Sequence, residues 1–215
     1  MSFTYSTLKT AIGDYLESAE TTFTTHLPTF VTESEDRIFR LVELPEQRKN
    51  VQGTTSISNR FLACPTDFLA PMSLAIISSS TYSYLDLKHA SFLKEYSPTT
   101  SVTGQPKYYS IYSQDSFALA PIPDAAYTVE LHYLYKPSSL TSGSDSGTTV
   151  LSTDYPDALL YGSLVEGAIF LKEPPDVIAQ FEARFKEAVM RMKNASEGRE
   201  TRDEYRYDSL RTRVS

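Results

Sequence analysis

The sequence predicts an α+β protein, in which an antiparallel helical bundle built from both chain ends carries an inserted antiparallel β domain. Apolar residues recur at helical spacing near the amino terminus and again in the last third of the chain. Between these regions, short Ser- and Thr-rich runs alternate apolar with polar residues, which is typical of strands. At 215 residues the chain suits one domain, or one domain with a large insertion.

Five segments follow from these patterns. They are a first helical pair, an inserted β-rich domain, a flexible loop, a second helical pair and an extended C-terminal tail, at residues 1–46, 47–137, 138–153, 154–198 and 199–215.

The first helical pair begins with an apolar stripe that includes Leu8 and Ile12. Four of the five residues 21–25 are threonine, which is polar and β-branched, so we expect a connection there. A second helix is predicted to follow Pro28 and to end before Pro45. Its inward residues are expected to be Phe30, Val31, Ser34, Ile38, Leu41 and Val42.

The middle region is predicted to contain six strands and one short helix. Residues 127–135 give the clearest strand, because apolar and polar residues alternate along them. The helix is expected at 89–96, and residues 138–149 are nearly all Ser, Thr, Gly and Asp, which predicts an exposed flexible loop. The candidate strands are 55–62, 73–78, 82–87, 108–114, 117–120 and 127–135.

The second helical pair opens with residues 154–172, where Asp154 is the expected N-cap and Pro156 fits the first turn. Gly162 and Gly167 lie inside this helix, although each glycine costs a helix roughly 1 kcal/mol relative to alanine. Two interior glycines indicate that another backbone packs closely against the helix. A fourth helix should then run from Asp176 to a terminator at Gly198.

Charge is distributed unevenly along the chain. The net charge is −7, which argues against general nucleic-acid binding, yet residues 184–215 carry +3 and residues 1–183 carry −10. An acidic body with a basic tail could pair head to tail with another copy or meet an acidic partner. A solvated charged tail is the simpler alternative.

The sequence offers little support for catalysis. The three histidines, His26, His89 and His132, fall on different predicted elements without metal-binding spacing. Cys64 lacks a nearby basic residue, and neither a Gly-x-Ser-x-Gly motif nor a phosphate-binding glycine loop occurs. We therefore expect no catalytic residue, metal or cofactor. Neither a signal peptide nor a membrane span is predicted.

Tyrosine is abundant, with fifteen residues against no tryptophan. Its large apolar face and polar tip suit protein interfaces, although half-buried sheets use it equally.

Several segments in order resemble one known family. They include Pro-Asp-Ala-Leu-Leu-Tyr-Gly at 156–162, and the full set is 8–16, 27–31, 33–40, 65–69, 104–109, 119–123, 127–133 and 156–166. The chain resembles the head-to-tail adaptor proteins of short-tailed phages, the group that includes the tail tubular protein A type.

This resemblance implies a structural virion protein, made in the host cytoplasm, and not an enzyme. Such adaptors form a ring, of twelve subunits, between the portal protein and the nozzle or fibre proteins of the tail. DNA passes through the ring without specific binding, and no membrane is involved. The alternatives left open are a carbohydrate-binding tail module and, less favoured, a hydrolase with carboxylates assembled across the fold.

Three sets of contact residues follow from these considerations. Gly162 and Gly167 are the expected points of close helix packing. The strand tyrosines that could meet a tail protein are Tyr108, Tyr109 and Tyr112. The tail residues expected to contact the portal or a neighbouring subunit are Arg199, Arg202, Tyr205, Arg206, Tyr207 and Arg211.

Overall fold

The chain divides into two units, Met1–Glu46 with Ser138–Ser215 (unit 1) and Gln47–Pro137 (unit 2). The structure is a computed structural model that describes residues 2–78 and 80–204, with 199–204 as backbone alone. Over these residues it contains six α-helices and two sheets, which confirms the α+β class. The antiparallel bundle order of the helices stays a prediction.

The helices and strands have the following bounds. The helices are α1 (Tyr5–Tyr15), α2 (Thr21–Leu41), α3 (Ala90–Tyr96), α4 (Val150–Asp154), α5 (Pro156–Leu171) and α6 (Pro175–Glu204). The strands are β1 (Arg48–Thr54), β2 (Phe61–Ala63), β3 (Phe68–Ser78), β4 (Thr81–Tyr84), β5 (Asp86–Leu87), β6 (Tyr108–Ser113), β7 (Ser116–Ala120) and β8 (Thr128–Tyr135).

Helix α2 begins seven residues before Pro28, so the expected connection at 21–25 is wrong. A proline inside a helix costs about 3 kcal/mol because it removes one hydrogen bond and crowds the preceding turn. Phe23 and Leu27 lie in that first part of α2 and are buried in the core of unit 1. Burial of such side chains contributes roughly 1.5–3 kcal/mol each, which outweighs the proline.

Helix α5 lies at the centre of unit 1 and contacts α1, α2, α4 and α6. Its N-cap is Tyr155, because Asp154, the expected cap, ends the separate short helix α4. Pro156 occupies the first turn as expected. Most of α5 is buried, so its own apolar residues occur on all sides of the helix instead of forming one stripe.

The segment 138–153 makes contacts with the helices of unit 1. Leu140 and Leu151 are buried in the core, and Leu140–Ser142 forms a 3₁₀ turn. The backbone N–H of Leu140 donates to Glu35 Oε1 at 3.0 Å. Sequence composition alone could not reveal these two leucine anchors, since serine, threonine and glycine surround them.

Helix α6 continues past Gly198, where its end was expected, to Glu204. One exposed glycine costs a helix only about 1 kcal/mol, and the next residues contain no proline.

Unit 2 contains two four-stranded sheets in the orders β1-β8-β3-β4 and β2-β7-β6-β5. All of the pairs are antiparallel except β5 with β6, which is parallel and so corrects the expectation of a wholly antiparallel domain. Both sheets contribute to one apolar cluster, in which the Phe68 and Phe117 rings meet edge to face at 5.1 Å. Helix α3 matches the expected short helix, and His89 is its N-cap.

The expected strand at 55–62 is replaced by two others. Strand β1 pairs with β8 over seven residues, Arg48–Thr54, and only the short strand β2 falls near the end of the predicted range. Strand β1 is almost wholly exposed and polar, so it has no alternation that periodicity could detect.

Candidate interaction surfaces

The two interior glycines of α5 face residues of their own chain. An added Cβ at Gly162 would overlap Ser34 Oγ on α2 and would lie 3.0 Å from Phe185 Cε2 on α6. An added Cβ at Gly167 would lie 2.7 Å from Leu16 Cδ1. Ser34 and Phe185 are fully buried. The close approach at Gly162 therefore joins α2, α5 and α6 within one subunit.

A groove of about 910 Å³ crosses unit 1 and is lined by α2, α5 and α6. Phe185 and Val189 contribute its apolar floor, and the exposed side chains of Leu41 and Met190 stand beside them. Leu41 was expected to face inward, yet it is 54% exposed at the last residue of α2. Solvent-exposed apolar residues that share a groove are typical of a contact surface.

Arg37 organises the charges of this groove. Its Nη2 lies 2.6 Å from Glu182 Oε1, its Nη1 lies 3.9 Å from Glu166 Oε1, and its guanidinium stacks 4.5 Å from the centre of the Phe185 ring. Because a planar guanidinium can bond a carboxylate and cover an aromatic ring together, this residue ties α2 to α6.

The two carboxylates respond to this environment in opposite directions. Burial alone would raise the pKa of Glu182, but hydrogen bonding to Arg37 and the charges of Arg37 and Lys186 lower it overall. Burial raises the pKa of Glu166, and the negative charges of Glu33 and Glu182 add to this effect. The hydrolase alternative called for converging carboxylates, and Glu33, Asp36 and Glu166 do line one groove. Because Arg37 pairs with Glu166, we interpret this cluster as part of the packing between helices.

The three strand tyrosines do not share one environment. Tyr109 is only 3% exposed and meets the Phe117 ring edge to face at 5.6 Å, inside the core of unit 2. Side chains alternate along a strand, so Tyr108 and Tyr112 point to the opposite face of β6. Tyr112 is 54% exposed and its ring centre lies 5.1 Å from that of Phe61.

Tyr108 belongs to a second aromatic group that the sequence did not reveal. The rings of Phe92 and Tyr96 on α3 stack at 5.8 Å, and each meets Tyr108 edge to face at about 5 Å. The spacing of Phe92 and Tyr96, four residues apart, was the available signal, because it places both on one face of a helix.

The tail residues fall at or beyond the end of the described chain. Arg199 and Arg202 lie on the last turns of α6, for which only the backbone is described. Tyr205, Arg206, Tyr207 and Arg211 lie outside the described residues.

The residues with possible chemistry are dispersed. Within 2–78 and 80–204, no group of three or more His, Cys, Asp or Glu is arranged to hold a metal ion. The pKa of Cys64 is raised to about 11 by burial and by the charge of Asp115. Its thiol is therefore a poor nucleophile near neutral pH. No helix in the described part of the chain combines the length and apolar character needed to cross a membrane.

Comparison with protein families assigns the chain to a class of structural assembly proteins. The model of the SU10 adaptor protein family matches residues 3–213, nearly the full length of the chain. The chain belongs to the SU10 adaptor protein family, and its role is that of a structural phage adaptor. This confirms the resemblance to phage head-to-tail adaptors and makes the protein a component of the virion. No curated protein matches the chain significantly.

Proposed function

We propose that this protein is the head-to-tail adaptor that joins the portal to the tail and surrounds the DNA channel as a ring. The observation that carries the proposal is the family match over residues 3–213. The fold supports it, because both chain ends build unit 1 and unit 2 is inserted between them. Such a chain can present unit 1 to its neighbours and unit 2 to another virion protein.

The ring arises from a heterologous contact repeated around an axis. A head-to-tail contact closes into a ring when the rotation between neighbours permits, and twelve subunits are implied by the resemblance. The charge asymmetry supports this contact, since residues 1–183 carry −10 and residues 184–215 carry +3. An acidic ring would let DNA pass without specific binding, because like charges repel.

The C-terminal residues reach the portal or a neighbouring subunit in this proposal. Arginine and tyrosine are frequent anchors of protein contacts, and the segment contains both in close succession. The residues concerned are Arg199, Arg202, Tyr205, Arg206, Tyr207 and Arg211.

Unit 2 meets the nozzle or fibre proteins of the tail through exposed aromatic residues. Tyr112 and Phe61 form one exposed aromatic pair, and Tyr108 contributes to the group on α3. Tyr109 takes no part in this surface because it is buried.

The direct test is reconstitution with the portal protein of the same phage. Purified adaptor and portal are mixed, and negative-stain images are compared with those of portal alone. We expect an added ring on one end of the portal. Portal particles that are unchanged at saturating adaptor would overturn the proposal.

The proposed contact of the C-terminal arginines with the portal is tested by double variants. Arg206→Ala with Arg211→Ala should weaken portal docking, while the matched Arg206→Lys with Arg211→Lys variant keeps the charge and should retain most of it. Equal docking of both double variants and the native chain would exclude an electrostatic role for these arginines.

One observation favours the carbohydrate-binding module as a second candidate. The rings of Tyr82 and Tyr84 on β4 are exposed and nearly parallel, at 23° and 6.4 Å. Parallel tyrosine faces can stack on sugar rings. Titration of the protein with host surface polysaccharide, followed by tyrosine fluorescence, would show saturable binding that Tyr84→Ala removes.

A further inference from the structure

Two residues of opposite charge lie on one face of α2. Glu33 and Arg40 are both exposed and both line the groove of unit 1. They are seven positions apart, which is about two helical turns, or about 10.5 Å along the axis on the same side of the helix. Among the described residues neither forms a salt bridge, whereas Arg37 between them bonds Glu182.

Apolar side chains accompany these charges. Leu41 directly follows Arg40 and is 54% exposed, and Met190 of α6 is 67% exposed on the same groove. Two large, exposed apolar side chains therefore line a groove of about 910 Å³. In a second copy turned around, the same side chains would face this groove.

The order of the charges also favours a second copy of this chain as the partner of this surface. A helix face that has an acid at one end and a base at the other is complementary to its own copy in antiparallel orientation. A two-fold axis midway between residues 33 and 40 opposes Glu33 of each copy to Arg40 of the other, so both ion pairs form at once. A parallel arrangement would instead oppose like charges.

We propose that two copies of this chain dock through the groove of unit 1 about such a two-fold axis. Glu33 and Arg40 of each copy pair with Arg40 and Glu33 of the other, and Leu41 and Met190 enter the opposite groove. This contact is isologous, whereas a ring requires two different surfaces on each subunit. The dimer is therefore a state of the free protein, and it stands or falls independently of the proposed role at the portal.

The test uses the full chain and light scattering after size exclusion across a concentration series. The native protein should shift from the monomer mass of 24.1 kDa towards twice that value as concentration rises, with a Kd between about 1 μM and 1 mM. The shift should weaken as salt increases, because exposed ion pairs are screened.

Two single charge reversals distinguish this geometry from other contacts. In a dimer of the Glu33→Arg variant, the two contact points would bring four cations together, two from each copy. In a dimer of the Arg40→Glu variant, they would bring four carboxylates together. Each variant should therefore stay monomeric at concentrations where the native chain dimerises. Mixing the two variants restores both ion pairs in the heterodimer, and the dimer mass should return. Asp14→Arg on α1 is the matched control and should dimerise like the native chain.

Circular dichroism of each variant verifies that unit 1 is folded. A native protein that remains monomeric up to about 1 mM would overturn the proposal. A native dimer with either single variant unaffected, or with no recovery on mixing, would also overturn it, because the contact would then lie elsewhere.

Discussion

The contact at Gly162 is the point where a single added methyl group should test the packing of unit 1. Two effects oppose each other in Gly162→Ala. Alanine favours the helix by about 0.8–1 kcal/mol over glycine, whereas overpacking a filled core costs typically 1–3 kcal/mol. Rotation of the Ser34 side chain can move its Oγ away from the added Cβ. Ser34 Cβ, at 3.1 Å from the added Cβ, and Phe185 Cε2, at 3.0 Å, remain too close. We therefore expect a net destabilisation of about 1 kcal/mol.

Chemical denaturation followed by circular dichroism measures this change. Gly198→Ala is the matched control, because within the described part of the chain nothing is found within 4 Å of its added Cβ. It should stabilise the helix by up to about 1 kcal/mol through propensity alone. Ser34→Ala combined with Gly162→Ala should recover part of the loss, which a double-mutant cycle reports as coupling. If Gly162→Ala stabilised the protein as much as Gly198→Ala, the packing argument would be refuted.

Further measurements test other parts of the structure. Gly167→Ala should be near neutral in denaturation, and milder than Gly162→Ala, because its close contact is the movable end of Leu16; a larger loss would contradict this. In unit 2, the Tyr133 hydroxyl donates a hydrogen bond to Asp67 Oδ1 at 2.8 Å. Burial, and then the hydrogen bond to Asp67, raise the pKa of Tyr133 to about 12. Neutral tyrosine is thus favoured in the folded state, so stability should fall as pH rises above about 10. Asp67→Asn should lower the pKa of Tyr133 in an ultraviolet titration, and an unchanged titration would disprove the coupling. The pKa of Cys64 is raised to about 11, so little thiolate is present at pH 8. Cys64 should therefore react with iodoacetamide roughly a hundredfold more slowly at pH 8 than an ordinary thiol. Rapid labelling would show that the thiol is not buried in this way.

The helical parts of the fold were predictable where one apolar face repeats. Leu8 and Ile12 mark α1 in the sequence, and both are buried as the pattern indicates. Only the second part of α2 was predicted from the sequence. Pro28 and its neighbouring threonines disfavour a helix locally, whereas burial of Phe23 in the core stabilises it. That gain depends on α5, whose position the sequence does not encode locally.

The strand region and the surfaces were harder to predict for a related reason. Strand β1 exists because β8 pairs with it, and its own residues show no alternation. The parity of β6 could have separated Tyr109 from Tyr108 and Tyr112, since alternate residues of a strand face opposite sides. Nothing in the sequence places Ser34 opposite Gly162, because the two residues are 128 positions apart and only the packed helices bring them together.

The role at the portal vertex is tested most directly by a cryo-electron microscopy reconstruction of the virion. We expect unit 1 to fit a ring of density directly beneath the portal, repeated around the DNA channel, with unit 2 in contact with tail density. A vertex in which the density beneath the portal has another fold, with this protein located elsewhere in the tail or missing from the particle, would contradict it.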